Sequence, residues 1–322
     1  MQPIITTVIP VYNGAEFILR TLQSVAAQTR RPDRLVVLDN CSTDATEQIV
    51  REFTDLKCEF IRNEANLGLF GNMNRALSFA AQTKYLHILC ADDTVLPKYF
   101  ATVLPVLESC DGFGLAYCLD ERIDENDEYL SVSGRITGAV EQVAVADYLR
   151  QKGEISNQAI AGTLLKTNYQ AAPCSYRLDM PILADMVFYA EFAQHCRQIV
   201  KVHDALVQYR WHGNNETNAR MPGIQPLVLD EWKTMQLVEA LRGGSGLVRR
   251  CKLKGLFGVR TGIKAKRIRQ LGNLKYSREI VAAGREISGW PLWLAAQCVV
   301  HARELIVYGL LRRTRHPKNV FG

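Results

Sequence analysis

Residues 4–14, Ile4-Ile5-Thr6-Thr7-Val8-Ile9-Pro10-Val11-Tyr12-Asn13-Gly14, run from an apolar, β-branched segment straight into a polar turn. The β-branched positions suit a strand, and Asn and Gly accept turn conformations that other residues avoid. The same event recurs along the chain. Arg34–Leu38 leads into Asp39-Asn40-Cys41-Ser42-Thr43-Asp44, Cys58–Ile61 into Asn63-Glu64-Ala65-Asn66-Leu67-Gly68, and Tyr85–Leu89 into Cys90-Ala91-Asp92-Asp93; a fifth apolar run covers Phe113–Tyr117. Between the runs lie amphipathic segments at Ala15–Gln28, Asp44–Phe53, Leu69–Ala81 and Pro97–Ser109. Strands alternating with helices predict a parallel sheet flanked by helices, an α/β fold. The helix signals agree: Ser42 and Asp44 are good N-cap types, and Pro97 falls near a first turn, where a missing N–H costs little.

Outward from this block the pattern changes. Residues 121–155 lose periodicity and carry Gly, Ser and acidic side chains, so a variable loop is expected there. From about Pro226 the chain reads as helical and basic. Residues 241–322 hold 18 Lys+Arg against 3 Asp+Glu, a net +15, whereas residues 1–240 hold 21 against 30, a net −9. Such asymmetry implies two regions with different partners. The expected division is therefore a catalytic domain at 1–225, with halves at about 1–120 and 121–225, and a helical basic region at 226–322. Aromatic residues gather near the end of the basic tail instead of alternating with its charges, which favours an anionic membrane surface over nucleic acid.

Composition sets further bounds. At 322 residues and 48% hydrophobic content the chain can bury a sizeable core. Its nine cysteines are scattered with no C-x-x-C pair, so neither a disulfide framework nor a zinc site is indicated. Met1-Gln2-Pro3-Ile4-Ile5 shows no basic leader, and no segment reaches the roughly 18 uninterrupted apolar residues of a spanning helix, so a cytoplasmic location is expected.

In an open α/β sheet, ligands bind beyond the carboxyl ends of the strands. Here four consecutive strand ends supply amides, hydroxyls and carboxylates to one rim. Each alone has a bland explanation as a turn, a helix cap or solvated acid; their convergence carries the argument. Two carboxylates at the end of a buried strand repel one another unless a cation joins them, and Mg²⁺ or Mn²⁺ takes one or two carboxylates with phosphate oxygens completing its shell. Asp39, one strand over, is placed to accept hydrogen bonds from a base or ribose.

At these residues the sequence resembles a family 2 glycosyltransferase of the GT-A fold. Val8-Ile9-Pro10-Val11-Tyr12-Asn13 is similar to the family's opening strand, and Leu22, Ser24 and Gln28 match its first helix. Leu38-Asp39-Asn40-Cys41-Ser42-Thr43-Asp44-Ala45-Thr46 resembles its D-x-x-S-x-D nucleotide segment, while Asn63, Asn66, Leu67, Gly68 and Asn72 match the next block. Many members carry an extra aspartate where this chain has Cys90, so the metal motif is read as Asp92-Asp93. The resemblance implies a Rossmann-like nucleotide-diphospho-sugar transferase domain with a helical extension. Pro10, Tyr12, Asn13, Asp39, Asn66, Gly68, Asn72 and Asp92 would hold the donor, and Asp93 would ligate the metal. In the second half, Leu183-Ala184-Asp185-Met186-Val187-Phe188 looks like the segment that supplies a catalytic base, here Asp185. Tyr209-Arg210-Trp211-His212-Gly213-Asn214-Asn215-Glu216-Thr217 looks like a later Arg-x-His element, with His212 making either a structural hydrogen bond or a metal or diphosphate contact.

The expected activity is metal-dependent transfer of a sugar, with inversion, from a nucleoside diphosphate to an acceptor hydroxyl, in bacterial cell-surface polysaccharide or glycolipid synthesis. The expected partners are the nucleotide sugar, a saccharide or lipid-linked acceptor, an anionic membrane surface for 241–322, and a second copy of the chain. Two rivals stand beside it. A sugar-1-phosphate nucleotidyltransferase would need a glycine-rich basic loop after the first strand, and Tyr12-Asn13-Gly14-Ala15 is neither. A non-catalytic nucleotide or carbohydrate module would not require Asp93 and Asp185 together. With no G-x-G-x-x-G or G-x-x-x-x-G-K-[ST] sequence, dinucleotide and P-loop readings are weak.

Overall fold

The computed structural model describes residues 4–109, 111–156, 158–213, 215, 225–244 and 246–310. The chain forms two compact units: Met1–Lys152 with Ser156–Asp179 and Ala184–Asn215, and Gly153–Ile155 with Met180–Leu183 and Glu216–Gly322.

The first unit is built on one ten-stranded sheet. Its elements in chain order are β1 (Ile5–Val11), α1 (Ile18–Ala26), β2 (Arg34–Asp39), α2 (Thr46–Glu52), β3 (Cys58–Arg62), α3 (Gly68–Leu77), β4 (Tyr85–Ile88), β5 (Thr94–Val95), α4 (Tyr99–Val103), β6 (Gly114–Ile123), β7 (Tyr129–Val132), β8 (Val140–Gln142), α5 (Val145–Gly153), β9 (Thr163–Lys166), α6 (Ala184–His195) and β10 (Gln198–Arg210). The strand order is β3-β2-β1-β4-β9-β6-β10-β5, with β7 on β6 and β8 on β10. Each of the five apolar runs read from the sequence forms a strand.

The parallel arrangement expected for the first 120 residues holds across β3-β2-β1-β4. Beyond β4 the sheet is mixed: β9 runs antiparallel to both β4 and β6, and β10 runs parallel to β6. The loop expected at 121–155 also needs correction, since it contains the end of β6, β7, β8 and α5. Its short strands are largely solvent-facing, so no apolar alternation marks them.

β1 is central and buried along its length, with Ile5, Val8 and Ile9 in the core beside Leu35, Val37 and Leu89. A proline in such a strand should break a ladder. Pro10 does not, because β4 pairs with β1 only as far as Val8 and departs after Leu89 N–H donates to the Val8 carbonyl.

The second unit is helical, with α7 (Gln225–Leu241), α8 (Leu247–Gln270), α9 (Leu274–Ser288) and α10 (Trp290–Leu310). Val228, Met235, Phe257, Ala265, Ile268, Ile280 and Ala283 form its core. Gly284 permits a close approach there: a Cβ would stand 2.4 Å from Trp293 Cζ3 and 2.5 Å from Thr261 Oγ1. Among the described residues no helix is long and apolar enough to cross a membrane.

Candidate functional site

The chain leaves β1 towards β2 on one side and returns to β4 on the other, so the strand order reverses at the β1/β4 boundary. A crevice opens at such a point beyond the carboxyl ends of the strands. The loops after β1, β2, β3 and β4 meet there, and every site residue expected from the sequence lies in the first unit.

The loops after β1 and β2 are laced together. Asn13 N–H donates to Ser42 Oγ at 2.8 Å, and Asn13 Oδ1 accepts from Thr43 N–H at 2.8 Å. Asn13 reaches this exchange in the left-handed region, at φ 50°. Asp39, fully buried, accepts from Ser42 N–H at 3.1 Å and pairs with the Arg62 guanidinium at 3.2 Å. Asp44 accepts from Ala15 N–H at 3.0 Å and from Thr46 N–H at 3.0 Å, which makes it, and not Ser42, the residue that feeds the start of α2. The D-x-x-S-x-D spacing thus has a local cause: Asp39 satisfies Ser42 N–H within its own loop, while Ser42 and Asp44 satisfy backbone N–H groups of the opposing loop. Tyr12 is left 46% exposed at the rim.

Amides fix the next loop. Asn40 Nδ2 donates to Asn66 Oδ1 at 2.8 Å, and Gly68 N–H donates to the same oxygen at 2.8 Å. Asn72 is buried, donating to the Leu38 carbonyl and accepting from Asn63, so it supports the rim from below. Gly68 opens α3 at φ 73°, a conformation that favours glycine.

α1 anchors the segment after β4. Thr21 Oγ1 donates to the carbonyls of Ala91 at 2.8 Å and Asp93 at 2.9 Å. Ser24 Oγ accepts from Val95 N–H, and Gln28 Nε2 donates to the Leu96 carbonyl at 2.7 Å. Asp93 is 2% exposed and accepts from Arg210 N–H at 3.0 Å. Burial first, then the charge of Asp92, holds its carboxyl well above the usual carboxylate range. Asp92 is more accessible, and its Oδ2 lies 3.1 Å from His212 Nε2 and 3.3 Å from Asn215 Nδ2.

Arg210 organises this corner and went without a role in the sequence reading. It is fully buried, with Nε donating to the Asp92 carbonyl at 2.9 Å, Nη1 to the Asp124 carbonyl at 3.0 Å, and Nη2 paired with Asp127 at 2.6 Å. Its guanidinium lies 5.0 Å from the centre of the Phe17 ring, and Phe17 in turn packs on His212 at 4.6 Å. His212 therefore stands on Asp92 beside the acidic pair. Asn214, Glu216 and Thr217 of the same stretch lie outside the described residues.

The donor atoms of Cys90, Asp92 and Asp93 lie within 4.8 Å of one another. Burial and then the charges of Asp93, Asp92 and Asp185 push the Cys90 thiol well up, which keeps it neutral beside the carboxylates. A buried acid beside a more accessible one, with their oxygens and the Cys90 sulfur close together, fits a small divalent cation. Asp185 occupies the first turn of α6, close enough for its charge to act on Cys90, Tyr176 and Tyr189.

A switch-point crevice with interlaced loops and a carboxylate pair, in a sheet that turns mixed after β4, is the arrangement of a GT-A fold. Residues 6–155, a little under half of the chain, match glycosyl transferase family 2. An uncharacterized glycosyltransferase of Methanocaldococcus jannaschii is 32% identical over 40% of this chain and 46% of its own length. The succinoglycan biosynthesis protein ExoO of Rhizobium meliloti is 32% identical over 41% of this chain and 36% of its own, so the chain spans less than half of either relative. Among solved structures, S. aureus TarS 1-349 in complex with UDP-GlcNAc superposes with a TM-score of 0.63 over 95% of this chain and 87% of that one, at 16% identity, a likeness of fold.

Proposed function

We propose that this protein transfers a sugar from a nucleoside-diphosphate sugar to an acceptor hydroxyl with inversion, in the synthesis of bacterial cell-surface polysaccharide or glycolipid. The observation that carries this is the convergence of the laced donor loops and the Asp92–Asp93 pair at one switch point, with Asp185 within charge range. The family match and the UDP-GlcNAc held by TarS support it.

Pro10, Tyr12, Asn13 and Asp39 form the nucleotide end, where the exposed Tyr12 ring offers a face to a base and the Asn66–Gly68 turn closes the side. Asp93 would hold Mn²⁺ or Mg²⁺, with Asp92 and its partner His212 beside it; when bound, such an ion would supply positive charge next to a departing diphosphate. Asp185 takes the proton of the acceptor hydroxyl as that oxygen bonds to the anomeric carbon and the bond to the diphosphate breaks. One displacement inverts the anomeric centre.

The test is calorimetry of UDP binding. Asp93→Asn is expected to lower affinity at least about tenfold in Mn²⁺, since a single remaining carboxylate would hold the cation, and through it the diphosphate, less well. Equal affinity in Mn²⁺ and in EDTA for the unaltered protein would remove the metal from the scheme.

The enzyme is cytoplasmic, and residues 241–322 hold it on the inner face of a membrane. The outward positions of α10 support this: Trp290 and Leu294 are 58% and 55% exposed, and Pro291, Ala295, Cys298, Val299 and Ala302 continue their face at helical spacing. Trp293 is instead buried at 5%, so one tryptophan of the Trp290–Leu294 run serves the helical core. Arg312, Arg313 and Arg315 lie outside the described residues. Basic residues near an anionic surface contribute about 1 kcal/mol each, so binding should be salt-sensitive. In sedimentation, the protein is expected to follow anionic liposomes at low salt and leave them at high salt. Equal recovery with neutral liposomes would refute the membrane role.

A further inference from the structure

Lys152, in the last turn of α5, is 2% exposed. A lysine ammonium is almost never fully buried without compensation, because losing its hydration is costly. Its surroundings are defined. Nζ donates to the Ser156 carbonyl at 3.3 Å and faces the ring of Tyr148 at 5.2 Å and that of Tyr189 at 6.0 Å. Tyr189 sits on α6 four residues after Asp185, so the two side chains leave the helix on the same face, one turn apart. Lys152 therefore approaches α6 on the face that carries Asp185.

The other titratable groups at this place are the phenols of Tyr148, Tyr176 and Tyr189 and the thiol of Cys90. Burial pushes all four up, so they are neutral near pH 7. Burial likewise pulls the Lys152 ammonium down to about 7, against the opposing pull of the Asp185 charge.

We infer that Lys152 is a positioning residue for Asp185: its buried ammonium, seated between the rings of Tyr148 and Tyr189, is the positive charge against which the Asp185 carboxylate is set. The inference rests on Asp185 being the general base. Removing the ammonium leaves the base in place but in poorer surroundings. The carboxylate then ionises at higher pH, and its orientation loosens.

Lys152→Met keeps length and apolar packing and removes the charge. The assay is slow hydrolysis of UDP-GlcNAc with Mn²⁺, water standing for the acceptor. The acidic limb of its pH–rate profile is expected to move up by about one unit, the scale of losing one nearby opposite charge, with turnover near neutral pH reduced and donor KM unchanged. An unmoved limb would overturn the inference. Should Lys152→Met fold poorly, Lys152→Gln keeps a donor for the Ser156 carbonyl and takes its place.

A thermal-unfolding cycle of Lys152→Met (or Lys152→Gln), Asp185→Asn and the double variant gives a readout independent of activity. The double variant is expected to melt no lower than the Asp185→Asn single variant, because both members of the pair are then neutral. Additive losses would show that the two groups do not interact. Failure of the base reading looks different: Asp185→Asn would then retain turnover whatever the cycle shows.

Discussion

Asp185→Asn is expected to lower sugar transfer by roughly 10²–10⁴-fold, the scale for losing a general base, while UDP affinity stays nearly unchanged. An acceptor hydroxyl holds its proton far above pH 7, so attack on the anomeric carbon needs a carboxylate within hydrogen-bond reach. Asp92 and Asp93 are poorly suited. One is engaged by His212 and Asn215, and the other is buried against Arg210 N–H. The remaining acids of this region are also committed: Asp179 pairs with Arg177 at 3.1 Å, and Glu191 lies further along α6 under the charge of the same arginine. Asparagine keeps the size of Asp185 and removes its basicity. The loss should therefore fall on turnover and not on donor KM. Transfer at wild-type rates by this variant, with a competent acceptor present, would send the search for the base to Glu191 and Asp179.

Arg210→Met should have its main effect on the fold, lowering unfolding free energy by about 3–5 kcal/mol, as expected when one member of a buried charged set is removed. The loop after β4 and the turn between β6 and β7 lose their tie to the end of β10 at once. The guanidinium joins the Asp92 carbonyl after β4, the Asp124 carbonyl after β6, and Asp127. It also opposes, in part, the burial that raises the Asp93 carboxyl. Methionine fills the volume against Phe17 but satisfies neither carbonyl. Urea unfolding monitored by circular dichroism reads the change, and a midpoint equal to that of the unaltered protein would show that the guanidinium contributes no net stability. Arg210→Lys should recover little, because a single ammonium cannot reach three acceptors in the planes the guanidinium serves.

The sequence exposed the donor half of this fold because its parts are local. β1 to β4 are short β-branched runs, each followed at once by the polar residues that face the crevice, so strand and site residues are neighbours in the chain. Asp39, Asn13 and Ser42 came into view through the resemblance of their short segments, and their hydrogen bonds stay within one strand–helix unit: Ser42 to Asp39 over 3 residues and Asn13 to Ser42 over 29. The second half follows other rules. β9 has four residues, and one of them is the buried Lys166, whose Nζ serves the Leu107 and Glu108 carbonyls. A lysine in that place hides a core strand from any reading based on apolar character. The contacts that complete the site span longer separations: Arg210 meets Asp93 across 117 residues and His212 meets Asp92 across 120. Composition could name Arg210 and His212 as polar but not say which carboxylate each would find. Lys152 gave no signal at all, lying in a stretch that reads as loop.

The position of β9 bears on how the chain reaches its native state. This strand, contributed by residues 163–166, is inserted between β4 and β6, both of which are made much earlier. Until it arrives, the edge of β4 offers unpaired N–H and C=O groups to any other extended chain. A nascent or truncated protein ending near residue 120 would contain every donor loop and yet present that open edge beside the Asp92–Asp93 corner. Closure of the sheet is thus a late, long-range event, of the kind that slows folding and favours association between incomplete chains. The donor loops are assembled early in the chain, but their usefulness waits on a four-residue strand from its second half.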